Sequence, residues 1–118
     1  MGDAGLVGML VPNLFLRVPV ETAVRAAGLR PLPLADGGQA SRSECRVVVV
    51  DLEALGGDPA AAVRVLAAAG KTVLAFGPHV QGEMLAAVRA AGAVVLPRLV
   101  FLERLPELLA AALGRSAT

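Results

Sequence analysis

The sequence predicts a three-layer α/β/α domain around a five-stranded parallel sheet, and three observations carry that expectation. Extended and helical patterns alternate along the 118 residues, as βαβ units require. The run Val47-Val48-Val49-Val50 has no polar face, which suits a strand covered by helices on both sides. The tripeptide Ala-Val-Arg recurs at 23, 62 and 87, each time ahead of a Gly and then an apolar run. One helix–Gly–strand joint is thus used three times, and the uneven spacing argues against a solenoid repeat.

The elements follow in order. Residues 6–11 form a short apolar run fit for a first buried strand. A helix follows, with Glu21 early and Arg25 late, matching the helix dipole, and Gly28 supplies its left-handed C-cap. Pro19 either opens this helix or kinks a longer one beginning near Leu14. Residues 29–34 make a second strand, which Pro31 and Pro33 confine to a sheet edge. Residues 35–44 are polar and Gly-containing and read as a surface loop, so the second helix is expected reduced or absent. Residues 45–50 form the third strand. Gly56-Gly57-Asp58-Pro59 supplies a loop, an N-cap and a first helical residue, opening a helix that ends at Gly70. Strand four covers 72–76, a helix covers 81–91 and stops at Gly92, and strand five covers 93–96. The last helix is placed at 102–113, with Pro106 in its first turns.

Composition narrows the function classes. A chain of this length fits one domain, 1–118, that can bury roughly two-thirds of its unfolded surface. The hydrophobic share of 56% argues against disorder. Net charge is +1, the basic residues are scattered, and there are three Phe and no Trp or Tyr. Nucleic-acid binding, which favours a basic stripe with stacking aromatics, is therefore not expected. Cys45 is the single cysteine and His79 the single histidine, so neither a disulfide nor a Cys/His metal centre is expected. No apolar run reaches the roughly 18 residues of a membrane span, and Met1-Gly2-Asp3 lacks a positive leader. The expected location is the cytoplasm, and the Ala/Gly/Arg/Leu bias suggests a bacterial source.

Asp51 is the residue whose role must be decided. It follows the valine run, at the carboxyl end of a strand, where open α/β folds place their sites. The plain alternative is a strand-ending carboxylate that accepts backbone N–H bonds or pairs with Arg98.

Here the residues support a family resemblance. Val49-Val50-Asp51-Leu52 resembles the phosphoacceptor segment of bacterial response-regulator receiver domains. Val73-Leu74-Ala75-Phe76-Gly77-Pro78-His79 resembles their fourth strand and the loop after it. Leu96-Pro97-Arg98, with Phe101 and Leu105-Pro106-Glu107-Leu108-Leu109, resembles the fifth strand and final helix. More narrowly, Asn13-Leu14-Phe15-Leu16-Arg17 and Phe76-Gly77-Pro78-His79-Val80 look like a divergent, pseudo-receiver branch. The resemblance spans nearly the whole chain. It implies the flavodoxin-like (CheY-like) strand order 2-1-3-4-5 and Asp51 as the phosphoacceptor position.

The departures matter as much. A working receiver carries an acidic pair after strand one to hold Mg²⁺; here those positions read Pro12-Asn13. It carries Ser or Thr at the end of strand four; here Gly77. It carries Lys after strand five; here Arg98 is the nearest match. Phosphoryl transfer depends on positioning and charge neutralisation, so Asn13, Gly77, His79 and Arg98 are expected to line a vestigial pocket around Asp51. The expected function is a non-catalytic signalling module that contacts a protein partner or a second copy, with no cofactor and no metal. One alternative is a phospho-accepting regulator using Asp51. Another is a small-ligand sensor at the strand tips, approached through Gly57, Gly77 and His79.

Other candidates carry less chemistry. Cys45 begins strand three, away from the strand tips, and suits a small buried hydrophobe. Gly56-Gly57 lacks the Gly-Lys-Ser/Thr ending of a phosphate loop, and Gly2, Gly5 and Gly8 precede the first strand instead of following it. The partner surface is expected at Leu99, Val100, Phe101, Leu102 and Leu105, where an apolar run continues past strand five. In receivers this face commonly mediates dimerisation.

Overall fold

The valine run behaves as its composition requires. Val47 and Val49 enter one core while Val48 and Val50 enter the other, because successive side chains of a strand point to opposite faces. The computed structural model describes residues 3–55, 57–77 and 82–114. Five strands, β1 (Asp3–Leu10), β2 (Arg30–Pro33), β3 (Cys45–Asp51), β4 (Thr72–Gly77) and β5 (Ala93–Pro97), alternate with helices α1 (Leu14–Ala26), α2 (Gly37–Arg42), α3 (Pro59–Ala68), α4 (Gly82–Ala90) and α5 (Arg98–Ala112). All pairings are parallel, and the sheet order is β2-β1-β3-β4-β5. This is the flavodoxin-like arrangement.

One core lies between the sheet and α2, α3 and α4. Val63 and Leu66 of α3, Val88 of α4 and Ala40 of α2 pack there against Val48, Val50, Val73 and Ala75. The other lies beneath α1 and α5, where Val20, Val24, Phe101, Leu105 and Leu109 meet Met9, Val49, Leu74 and Phe76. Phe76 and Phe101 contact ring to ring, centroids 5.0 Å apart and tilted by 41°. Gly8 of β1 has no room for a side chain: a Cβ there would lie 2.7 Å from Leu34 Cδ1 and 2.8 Å from Cys45 Sγ.

The Asp58 cap and the glycine stops hold, and Arg25 lies in the last turn of α1, but Glu21 lies in mid-helix because α1 begins at Leu14 and carries no acid in its first turn. Asn13 and Asp58 cap α1 and α3 through side-chain bonds to Phe15 N and Ala60 N, each 3.0 Å long. Gly28, Gly70 and Gly92 follow α1, α3 and α4 with φ of 79°, 83° and 115°, the left-handed turn that releases the chain into the next strand.

Several boundaries differ from expectation. Residues 35–44 are not all loop: Asp36 and Gln39 form a variant of the capping box, with Gln39 N bonded to Asp36 Oδ1 (2.7 Å) and the preceding Ala35 N, not Asp36 N, to Gln39 Oε1 (2.6 Å), and the six-residue α2 follows. A 3₁₀ turn at Leu52–Ala54 follows β3. Helix α1 is the longer alternative, with Pro19 inside it. Helix α5 begins at Arg98, one turn earlier than its apolar run suggested, because Phe101 continues the Leu105/Leu109 stripe at i−4. Pro106 consequently lies in the helix interior and not in the first turns.

Candidate functional site at the strand tips

Asp51 ends β3, with β1 and β4 on either side of it. It is 4% exposed, and it is the one charged residue among the buried described residues. Its Oδ1 accepts a hydrogen bond from Glu53 N at 3.0 Å, so the carboxylate is the N-cap of the 3₁₀ turn. Burial pushes its pKa above the ordinary aspartate value; the Glu53 N–H opposes this, the Glu53 carboxylate adds to it, and the Arg98 guanidinium opposes it.

A carboxyl group whose folded pKa is raised binds more protons in the native state than in the unfolded chain. Its contribution to stability is fully present below the unfolded pKa and is lost as pH rises through the folded one. The isosteric Asp51→Asn keeps an oxygen to accept from Glu53 N and carries no charge. This substitution is expected to raise Tm by a few degrees near pH 7 and to leave it little changed near about pH 3, read by thermal melts of both proteins across that range. A lower Tm for the variant at neutral pH would mean that the ionised carboxylate stabilises the fold.

The topology brings Asn13, Gly77 and Arg98 to the same edge as Asp51, yet each is locally occupied or chemically bare. Asn13 Oδ1 accepts from Phe15 N, which makes it the cap of α1. Gly77, the buried last residue of β4, offers no hydroxyl. Arg98 opens α5 and does not bond to Asp51: its Nη2 lies 3.3 Å from Oε2 of the exposed Glu53. The buried Nε of Arg98 has no hydrogen-bond partner among the described residues. His79 and Gly56 lie outside the described residues.

Cys45 is buried at the start of β3, at the opposite sheet edge from Asp51. Its Sγ lies 2.7 Å from Ser43 Oγ, and Lys71 Nζ ties the carbonyls of Ser43 (2.5 Å) and Cys45 (2.6 Å) together. Gly57 takes φ 71° ahead of the Asp58 cap, so its role is the turn.

The expected partner surface divides in two. Phe101 and Leu105 are buried core residues and Leu102 packs partly beneath them, so these do not form a contact face. Leu99 is 75% exposed, and Val100, with Val94 of β5 and Met84 of α4, is exposed as well. Sequence reasoning missed a second patch on α1, where Leu14, Val18 and especially Phe15, 89% exposed, face outward. The signal was available: Val20 and Val24 define the buried stripe of α1, and 14, 15 and 18 fall off the i±4 row through it.

No protein-family model and no curated protein matches the sequence. Solved structures do. A response regulator from Thermotoga maritima superposes with a TM-score of 0.77 at 17% identity, over 92% of this chain and 97% of its own. The receiver domain of a sensor histidine kinase from Pseudomonas aeruginosa, with a magnesium ion coordinated in the active site cleft, gives 0.75 at 20% identity, over 97% and 99%. A pilus assembly-related protein from Burkholderia pseudomallei gives 0.76 at 18% identity, over 100% and 97%. The structural neighbours include response-regulator receiver domains, and the chain has their fold.

Proposed function

We propose that this chain is a receiver-like signalling module that acts through protein contact, not through phosphorylation of Asp51, and that it is not an enzyme. Fold alone does not assign a role, and a pilus assembly-related protein shares this one with response regulators. The observation that carries the reading is the state of the oxygen donors around Asp51. Magnesium, as in the Pseudomonas receiver, takes hard oxygen ligands in near-octahedral geometry. Here one Asp51 oxygen accepts the Glu53 amide, the Asn13 oxygen caps α1, and the Glu53 carboxylate pairs with Arg98. Pro12 adds no donor side chain. The donor set does not fit the ion.

What remains for the module to present is surface. Leu99 and Val100 sit at the start of α5, and Leu14, Phe15 and Val18 at the start of α1. Both helices cover the same face of the sheet and begin at its strand-tip edge. Large apolar side chains exposed together mark contact surfaces. A protein partner or a second copy is the occupant this reading assigns, and a bacterial cytoplasm is the setting, in keeping with the bacterial origin of the structures reported above.

The rival reading, a phospho-accepting Asp51, has one observation on its side: the unpartnered Nε of Arg98 could donate to a phosphoryl oxygen. Incubation with acetyl phosphate and Mg²⁺ followed by intact-mass measurement decides between them. The expected result is an unchanged mass. A gain of one phosphoryl group that disappears in Asp51→Asn overturns the proposal.

A further inference from the structure

A cavity of about 440 Å³ opens at the strand-tip edge, on the β2 side of the sheet, and Asp51 is not among its lining residues. Its apolar lining includes Leu10 of β1, Leu34 after β2, Leu55 after the 3₁₀ turn, and Ala62 of α3; Arg17 of α1 and Asp36 before α2 are its charged lining residues. The short second helix accounts for it. Six residues rise only about 9 Å, against about 20 Å for α1, and α2 buries Ala40 alone. Leu34 and Leu55 are consequently only partly covered where they pack on the core.

The volume falls in the range of small-molecule sites, which pair an apolar lining with a few placed polar groups. The two charges are not equivalent. Asp36 is the N-cap of α2, its Oδ1 accepting Gln39 N at 2.7 Å, and it keeps its negative charge. Arg17 is half-buried, and its guanidinium has no ion-pair or hydrogen-bond partner among the described residues. Arg17 lines the cavity, and an unengaged guanidinium offers a fork of donors with no acceptor to meet them.

We infer that this cavity binds a small organic anion, its apolar body against Leu34 and Leu55 and its anionic head on Arg17. The inference goes beyond the signalling role and does not use Asp51, Gly77 or Gly57. Among the described residues, the ligand site thus lies beside the expected approach points, not upon them. Ala54, on its wall, ends the turn that Asp51 caps and Leu55 directly follows it, so occupancy would be felt there.

The test is an amide-detected NMR titration of the full chain with 3-phenylpropionate, with 3-phenylpropylamine as the charge-reversed arm and inorganic phosphate as the head-group arm. Saturable, one-site binding of the acid is expected, with shifts concentrated at Leu34, Ala54, Leu55 and Ala62. Arg17→Gln should weaken it about tenfold, and Ala62→Leu, which fills the cavity, should abolish it. If Ala62→Leu fails to fold, Ala54→Leu, also in the lining, serves the same purpose. The inference is overturned if the acid does not saturate, if its shifts cluster elsewhere, or if the amine or phosphate binds as well as the acid. Retention of full affinity by Arg17→Gln overturns it too.

Discussion

Phe101→Ala is expected to lower the free energy of unfolding by about 3–5 kcal/mol, whereas Leu99→Lys, two residues upstream, is expected to leave it within about 0.5 kcal/mol. Both residues belong to one apolar run in the sequence. In the fold, Phe101 is fully buried against Phe76 and Leu99 is three-quarters exposed. Truncating Phe101 removes an aromatic ring from between α5 and β4 and leaves a cavity that close-packed neighbours refill only in part. Leu99 has little packing to lose. Urea melts read the first effect as a fall in midpoint at constant slope. Sedimentation velocity reads the other: if the start of α5 is a contact face, Leu99→Lys weakens association without touching stability. Equal destabilisation by the two substitutions would mean that Leu99 is packed, and the proposed face would be lost.

Pro106→Ala is expected to move stability the other way, by about 2 kcal/mol. Pro106 is exposed in the interior of α5. There it cannot donate to the Leu102 carbonyl and its ring crowds that group, a cost of about 3 kcal/mol in a helix interior. Against this, proline restricts the unfolded chain by about 0.4–1 kcal/mol relative to alanine. Alanine removes the larger effect and gives up the smaller, and the solvent-facing position means that no core contact is altered. Urea denaturation of the variant measures the difference. An unchanged midpoint would show that water and a local bend already satisfy the freed carbonyl, as happens in curved helices.

The strand assignments were legible because their causes are local. Val47 to Val50 are buried whichever face they meet, and Pro31 and Pro33 exclude residues 29–34 from a sheet interior whatever surrounds them. The Asp58-Pro59 start of α3 and the glycine stops at 28, 70 and 92 likewise depend on backbone chemistry within a few residues. Helix α2 was legible in principle, through the Asp36/Gln39 capping box, but six residues with one buried side chain carry too little periodicity to stand out.

The candidate site was legible in its address and not in its wiring. A strand's carboxyl end places Asp51 at the tip edge, and topology brings Asn13, Gly77 and Arg98 there. That Arg98 meets Glu53 rather than Asp51, and that Asn13 turns its oxygen back to cap α1, depends on side-chain directions set by a turn and two helix starts. Apolarity alone could not divide Leu99 from Phe101, since both are large and aliphatic or aromatic; the rotation of α5 against the sheet made one surface and the other core.

Alternation, hydrophobic period and turn chemistry were thus sufficient to specify the layers and the position of the acidic strand tip, because each acts over a single element. Which charges pair, which of Leu99 and Phe101 remains outside, and the cavity left beside a short α2 arise from how separate elements pack. Those outcomes depend on distances between residues far apart in the chain, and no pattern along one dimension encodes them.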